Sequence, residues 1–251
     1  MNNNLVSIVT PAYKAAEFVG HAIESVIAQD YSRWEMLVVD DCSPDGTAAE
    51  VARFARADSR VKLFRQPQNI GAAEARNVAL LAAQGRYIAF LDSDDLWLPG
   101  KLSRQLEFMR GENVGLSFTA FRRITQYGER TGRLIHVPDH IGYRGLLKNT
   151  AIATSTVIVD RQLAGPLRMT RTYYDDFVMW LELMKRGVVA RGLDLDLMRY
   201  RVLAQSISRN KVNSAKQVWR TYREIEKLDP VSSAWYFVNY AARGWLKYRA
   251  F

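Results

Sequence analysis

Cysteine is nearly absent: Cys42 stands alone in 251 residues, so no disulfide can form within the chain. That excludes the small stapled secreted domains and suits a reducing compartment. Histidine is scarce as well. His21, His136 and His140 show no metal-ligand spacing with Cys42 or with a second acid, which argues against a zinc site. No apolar run approaches the roughly 18 residues that a membrane span needs. The opening Met-Asn-Asn-Asn lacks the basic, apolar and small-residue order of a signal peptide. A cytoplasmic protein is therefore the expectation. Repeats and low-complexity tracts are missing too.

What is present is ordinary globular material, 48% hydrophobic and 24% charged, enough for a full core and most simply one domain with room for a small appendage. The formal charge of +9 favours acidic partners: nucleotides, nucleic acid or an anionic membrane surface. That charge is unevenly placed. From Arg199 onward eleven Lys and Arg face only Glu224, Glu226 and Asp229, so the first four-fifths of the chain is nearly neutral.

Short apolar runs alternate with helical periods. Leu5 to Thr10 reads as a buried strand stopped by Pro11, and Phe18, Val19, Ala22, Ile23, Val26 and Ile27 form one helical stripe. Glu35 to Asp40 is a second strand, and Val51 and Phe54 mark the buried side of a second helix. Val61 to Phe64 is a third strand; a helix follows from about Ala72 to Ala83, with Gly85 as its stop. Arg86 to Leu91 is the fourth strand. Leu102, Leu106 and Met109 then give a helix, Val114 to Phe121 a strand, and Thr154 to Val159 another. The stretch from Thr125 to His140 reads only as a loop or short hairpin. Acids at Asp175 and Asp176 and the Lys-Arg-Gly at 185–187 bound a helix. Leu195 to Val202 reads as a last strand, and two helices separated by Pro230 close the chain. Such alternation predicts an α/β fold with a mostly parallel central sheet and helices on both faces.

The stretch from Arg86 to Trp97 is the chemical centre of this reading. A buried strand runs into Asp92, Asp94 and Asp95, three like charges within four positions at the carboxyl end of a strand, where α/β sheets bind ligands. A hard divalent ion would relieve that repulsion and still leave room for substrate phosphates. A solvated turn rich in Asp and Ser is the alternative. Pro11 to Tyr13 and Asp40 to Ser43 should converge on the same place.

Five segments in this order, Val6-Ser-Ile-Val-Thr-Pro-Ala-Tyr13, Val38-Val-Asp-Asp41, Asn69-Ile-Gly-Ala-Ala-Glu-Ala-Arg-Asn77, Phe90-Leu-Asp-Ser-Asp-Asp95 and Tyr174-Asp-Asp-Phe177, resemble the inverting family 2 glycosyltransferases of GT-A fold that build bacterial surface polysaccharides. The likeness covers roughly residues 5 to 210. It implies a UDP-sugar donor, Mn2+ or Mg2+ as cofactor, and a saccharide acceptor linked to a polyprenyl diphosphate. By that resemblance Pro11 and Tyr13 flank the base, and Asp40 accepts a uracil N–H. Arg76 lies near the diphosphate, and Ser93 belongs to the donor loop. Asp94 is the direct metal ligand. Asp92 touches the ribose or supports the ion, and Asp95 faces the sugar or acceptor. The family's Glu-Asp pair is here Asp175-Asp176, a departure in its first member, which implies Asp176 as catalytic base and Asp175 on the acceptor side. Arg209 and Lys211 fall in a loop that would clamp phosphates.

The resemblance divides the chain into a catalytic unit, 1–213, and a basic aromatic extension, 214–251. In the latter Trp219, Tyr222, Trp235, Tyr236, Phe237, Tyr240, Trp245, Tyr248 and Phe251 alternate with Arg and Lys. That mixture suits a membrane interface, which would place the protein peripherally at the inner face of the cell membrane. It equally suits packing on the catalytic unit or on a second subunit as a homodimer. Two other functions stay open: a non-catalytic sugar-nucleotide-binding protein, which would not need Asp176, and a nucleic-acid-binding protein, suggested by the pI of about 9.7. The acids at strand ends would repel a polyanion and count against nucleic acid.

Overall fold

The computed structural model of the protein describes residues 2–149, 151–203 and 211–248. Four parallel strands form its first half: β1 (Asn2–Ala12), β2 (Trp34–Asp40), β3 (Val61–Arg65) and β4 (Gly85–Phe90). They lie in the order β3-β2-β1-β4. The connecting helices are α1 (Val19–Ile27), α2 (Thr47–Ala57) and α3 (Ala72–Ala82). Every side chain of β2 is buried, as expected for a strand covered on both faces.

Beyond β4 the same sheet turns mixed. β5 (Leu96–Trp97), α4 (Lys101–Gly111), β6 (Leu116–Ile124), β7 (Thr131–Ile135), β8 (His140–Ile141) and α5 (Tyr143–Leu147) lead to a 3-10 turn, Thr154–Thr156. Then come β9 (Ile158–Asp160), α6 (Arg161–Ala164), α7 (Asp175–Lys185) and β10 (Ala190–Arg201). β9 is antiparallel to both β4 and β6, while β6 and β10 run parallel. The stretch after Thr125 is the short hairpin of β6 with β7. The chain ends in α8 (Lys211–Arg220), a π turn at Thr221–Ile225 and α9 (Pro230–Tyr248).

Three local expectations are corrected. Pro11 does not stop β1: the strand continues to Ala12, with Pro11 opposite Val39 of β2. Pairing with β4 ends at Val9, so beyond it one flank of β1 is unpaired and proline's missing N–H is tolerated there. Gly85 is not a helix stop but the first residue of β4. A Cβ there would lie 2.5 Å from the Leu5 carbonyl oxygen, so the close approach of two strands demands glycine. Finally, 154–156 is a 3-10 turn rather than the start of a strand.

Two apolar clusters cover the two faces of the sheet. One holds α1, α2 and α4 through residues such as Ile23, Val51 and Leu106; the other holds α3, α5 and α7 through Leu80, Leu147 and Trp180. Val218 and Tyr222 are fully buried in the second cluster, and Tyr236, Phe237 and Tyr240 of α9 pack against it. Four aromatics of this last part of the chain, Tyr222, Tyr236, Phe237 and Tyr240, thus pack onto the core of the sheet. At 100° per residue, Val231, Trp235 and Val238 fall on the opposite side of α9, and all three are exposed. No described helix is long and apolar enough to cross a membrane.

Candidate active site

Parallel pairing brings the ends of β1, β2 and β4 side by side. Ala12 lies opposite Asp40, so Pro11, Tyr13 and Asp40 share one rim. Asp40 is 1% exposed, and one of its carboxylate oxygens, Oδ1, is buried without a partner. An unpaired buried acceptor costs free energy unless a ligand supplies the donor. Tyr13 is half exposed, with the Lys14 ammonium 5.3 Å from its ring centroid.

Asp41 was not singled out by the sequence. Its carboxylate receives the main-chain N–H groups of Ile70 (2.7 Å) and Gly71 (2.8 Å), which ties the turn before α3 to the end of β2. Gly71, at φ 87°, occupies backbone space that other residues seldom adopt. This tie aims α3, and with it Arg76, at the end of β4.

Arg76 is not an exposed helical arginine; it is 9% exposed and its guanidinium donates to Asp92 at 2.5 Å. Burial works against its charge, yet Asp92, Asp176 and Asp175 together outweigh burial and hold the proton more tightly than usual. One cation thus lies near acids 84 residues apart, which brings the carboxylates after β4 close to those opening α7.

The three acids after β4 have different surroundings. Asp92 is half exposed and held by Arg76. Asp94 has its pKa pushed up to about 6, first by burial and then by the neighbouring Asp92 charge. Asp95 is 2% exposed and turned inward: it accepts the Arg201 N–H at 2.9 Å and a bond from Ser155. Burial, then Asp94 and Asp92, raise its pKa well above normal. Asp95, expected on the sugar or acceptor side, is held by these bonds and braces the loop. Arg201 completes the brace, its Nε donating to the Asp94 carbonyl at 2.7 Å. Ser93 lies between these groups, half-buried.

At the start of α7, Asp176 accepts the Thr154 hydroxyl at Oδ2 (2.5 Å) and the Phe177 N–H at Oδ1 (2.7 Å). Asp175 accepts the Thr172 N–H at 2.5 Å and closes the turn into the helix; burial raises its pKa. Asp176 lines a small cavity with Leu146, Ile152, Tyr174, Phe177 and Trp180. Arg209 lies outside the described residues, as does the side chain of Lys211. His136 is exposed and engaged by Asp194 at 2.7 Å, and His21 is exposed on α1.

Among the described residues, no group of three His, Cys, Asp or Glu is arranged to hold a metal ion by itself. The donors that do meet fit a hard ion taking the rest of its oxygens from a diphosphate. Asp94 is half-buried beside Asp92, and burial followed by that like charge raises its proton affinity.

The chain matches the family profile of Glycosyl transferase family 2 over residues 7–169, which ends short of Asp175 and Asp176. It is 44% identical to TuaG of Bacillus subtilis (strain 168), whose name assigns it as a glycosyltransferase of teichuronic acid biosynthesis, over 94% of each chain. It is 36% identical to the Escherichia coli UDP-Glc:alpha-D-GlcNAc-diphosphoundecaprenol beta-1,3-glucosyltransferase WfgD, over 100% of this chain and 97% of that one. Among solved structures, S. aureus TarS 1-349 in complex with UDP-GlcNAc superposes with a TM-score of 0.71 at 17% identity, over 96% of this chain and 72% of that one. The mannosyltransferase PcManGT of Pyrobaculum calidifontis, with GDP-Man and Mn2+, gives 0.70 at 18% identity, over 96% and 74%. These two likenesses establish the GT-A fold.

Proposed function

The chain belongs to glycosyl transferase family 2 and is a glycosyltransferase, and from that premise we propose that it moves a hexose from a UDP-sugar, with inversion, to a hydroxyl of a polyprenyl-diphosphate-linked saccharide in surface-polysaccharide synthesis. The observation that carries this reading is that the Arg76 guanidinium pairs with Asp92 while lying close enough to Asp176 to feel its charge. It joins a diphosphate-binding end and a proton-accepting end in one cleft. Relatives at 36% and 39% identity that act from UDP-Glc on a diphosphoundecaprenol-linked sugar support the donor and acceptor classes.

Asp40 would accept the uracil N–H at its unpaired Oδ1, with Pro11 and Tyr13 against the base. Asp94, with Asp92, would hold Mn2+ or Mg2+, and Ser93 would approach the donor from the same loop. The bound ion would neutralise charge growing on the diphosphate. Asp176 takes the proton of the attacking hydroxyl as its oxygen bonds to the anomeric carbon, on the face opposite the departing UDP. The bond between that carbon and the diphosphate oxygen breaks, and its electron pair leaves with UDP. An α-linked donor thus yields a β-linkage. Arg76 offsets the acids of the cleft, and Asp175 holds the turn on the acceptor side. Arg209 and Lys211 would meet the phosphates.

The exposed stripe of α9 and the basic excess after Arg199 support a peripheral seat on the inner face of an anionic membrane, where a lipid-linked acceptor lies. A homodimer through the same helix is the competing use of that stripe. The decisive test of the reading is thermal unfolding with UDP, with and without Mn2+, followed by transfer from a panel of UDP-sugars to a synthetic polyprenyl-diphosphate saccharide. Stabilisation that needs both ligands is expected. No stabilisation by UDP and no transfer from any UDP-sugar would overturn it.

A further inference from the structure

The turn at 154–156 lies outside every motif that carries the family resemblance, yet it touches both halves of the cleft. Thr154, Ser155 and Thr156 are all buried. The Thr154 hydroxyl donates to Asp176 Oδ2 at 2.5 Å. The Ser155 hydroxyl accepts the Asp92 N–H at 3.0 Å and donates to the Asp95 carboxylate. Two adjacent side chains therefore link the base to the loop that would hold the diphosphate.

The turn is itself fixed from below. Trp97 Nε1 donates to the Ser155 carbonyl at 2.8 Å, and Gln105 Nε2 donates to the Thr156 carbonyl at 3.0 Å. Gln105 also donates to Ser117 of β6 at 2.7 Å, and Thr156 closes the turn on the Ala153 carbonyl at 2.6 Å. Such a doubly anchored turn has little freedom to follow either acid. Both acids must instead conform to it.

The geometry points to Thr154 and Ser155 as positioning residues that set the separation of Asp176 from the Asp92–Asp95 loop. Thr154 selects the carboxylate rotamer of the base, and Ser155 fixes the loop against which the donor is held. In-line attack tolerates little error in that separation, since a displacement of about 1 Å costs on the order of a hundredfold in rate. The inference rests on the assignment of Asp176 as base.

The test is steady-state transfer by the full-length enzyme together with calorimetric UDP binding in Mn2+, for the wild type and for Thr154→Val, Thr154→Ser and Asp176→Asn. Thr154→Val keeps the shape of the side chain and removes the donor. It is expected to lower kcat by about tenfold to a hundredfold while leaving the UDP Kd within about twofold, because only the base is released. Thr154→Ser should restore most of kcat, which a mere packing role for the methyl group would not allow. Wild-type kcat in Thr154→Val would overturn the inference. So would a parallel loss of UDP affinity and kcat that serine fails to rescue. Asp176→Asn separates the two levels of argument. If it still transfers sugar, the assignment of the base fails; if it is inactive while Thr154→Val is fully active, only the positioning role fails.

Discussion

At the start of β2, Glu35 is buried and receives the Ser7 hydroxyl at 2.6 Å, the Lys62 ammonium at 2.8 Å and the Gln84 N–H at 2.8 Å. Beyond the end of β4, Asp94 is half-buried beside Asp92 and answered only in part by Arg76 and Arg201. Burial raises both carboxyl groups, but at Glu35 the donors outweigh it and the pKa falls below the usual 4.5. At Asp94 burial and the like charge win, and the value rises to about 6. One end of the sheet satisfies its acid for the sake of the fold. The other leaves acids under-compensated, which costs stability unless a cation and substrate arrive.

The contrast is tested most severely at the base. Asp176→Asn should reduce transfer by about a thousandfold, the scale of general-base catalysis, with UDP binding kept. Activity near wild type would mean that the acids of α7 belong with Glu35 as structural groups. Next, Asp94→Asn should weaken Mn2+-dependent UDP binding by about a hundredfold, read by calorimetry, while leaving the folded state as stable or more so. A clear loss of stability would show that Asp94 is satisfied after all.

Glu35→Gln should do the reverse, lowering stability by about 2 kcal/mol in urea titrations at pH 7 with UDP affinity unchanged. Its pH signature follows from the direction of the shift. A folded-state pKa below 4.5 gives stability that is complete above pH 4.5 and lost as the pH falls through the folded value. The variant should lack that part of the acid limb. Smallest is the outer stripe of α9. Trp235, 61% exposed, replaced by Ala should reduce flotation with vesicles rich in anionic lipid by about tenfold, with catalysis on a soluble acceptor unaffected. A change from dimer to monomer with no change in flotation would assign the stripe to subunit contact.

Much of the first half of the fold was legible because each strand has an apolar run and each helix carries a stripe, patterns set by near neighbours along the chain. The acids after β4 stood out for the same local reason: three like charges where a strand ends. The second half was less legible. β10 runs twelve residues with two register irregularities, and only its last part reads as a strand. Asp41, Ser155, Gln105 and Arg201 were missed as supports because their partners lie 12 to 107 residues away and their side chains have no local signature.

The sequence by itself determined the alternation of elements, the family, and which carboxylates are available for chemistry, since these follow from periodicity and from motifs that are contiguous along the chain. Only the tertiary structure decided that Asp95 turns inward, that Arg76 is buried against Asp92, and that a three-residue turn bonds both Asp92 and Asp176. It also divided the aromatics of α9 into a packed side and an exposed one. Burial, proton affinity and hydrogen-bond partners are properties of a place in space, and folding assembles each such place from segments that share no pattern.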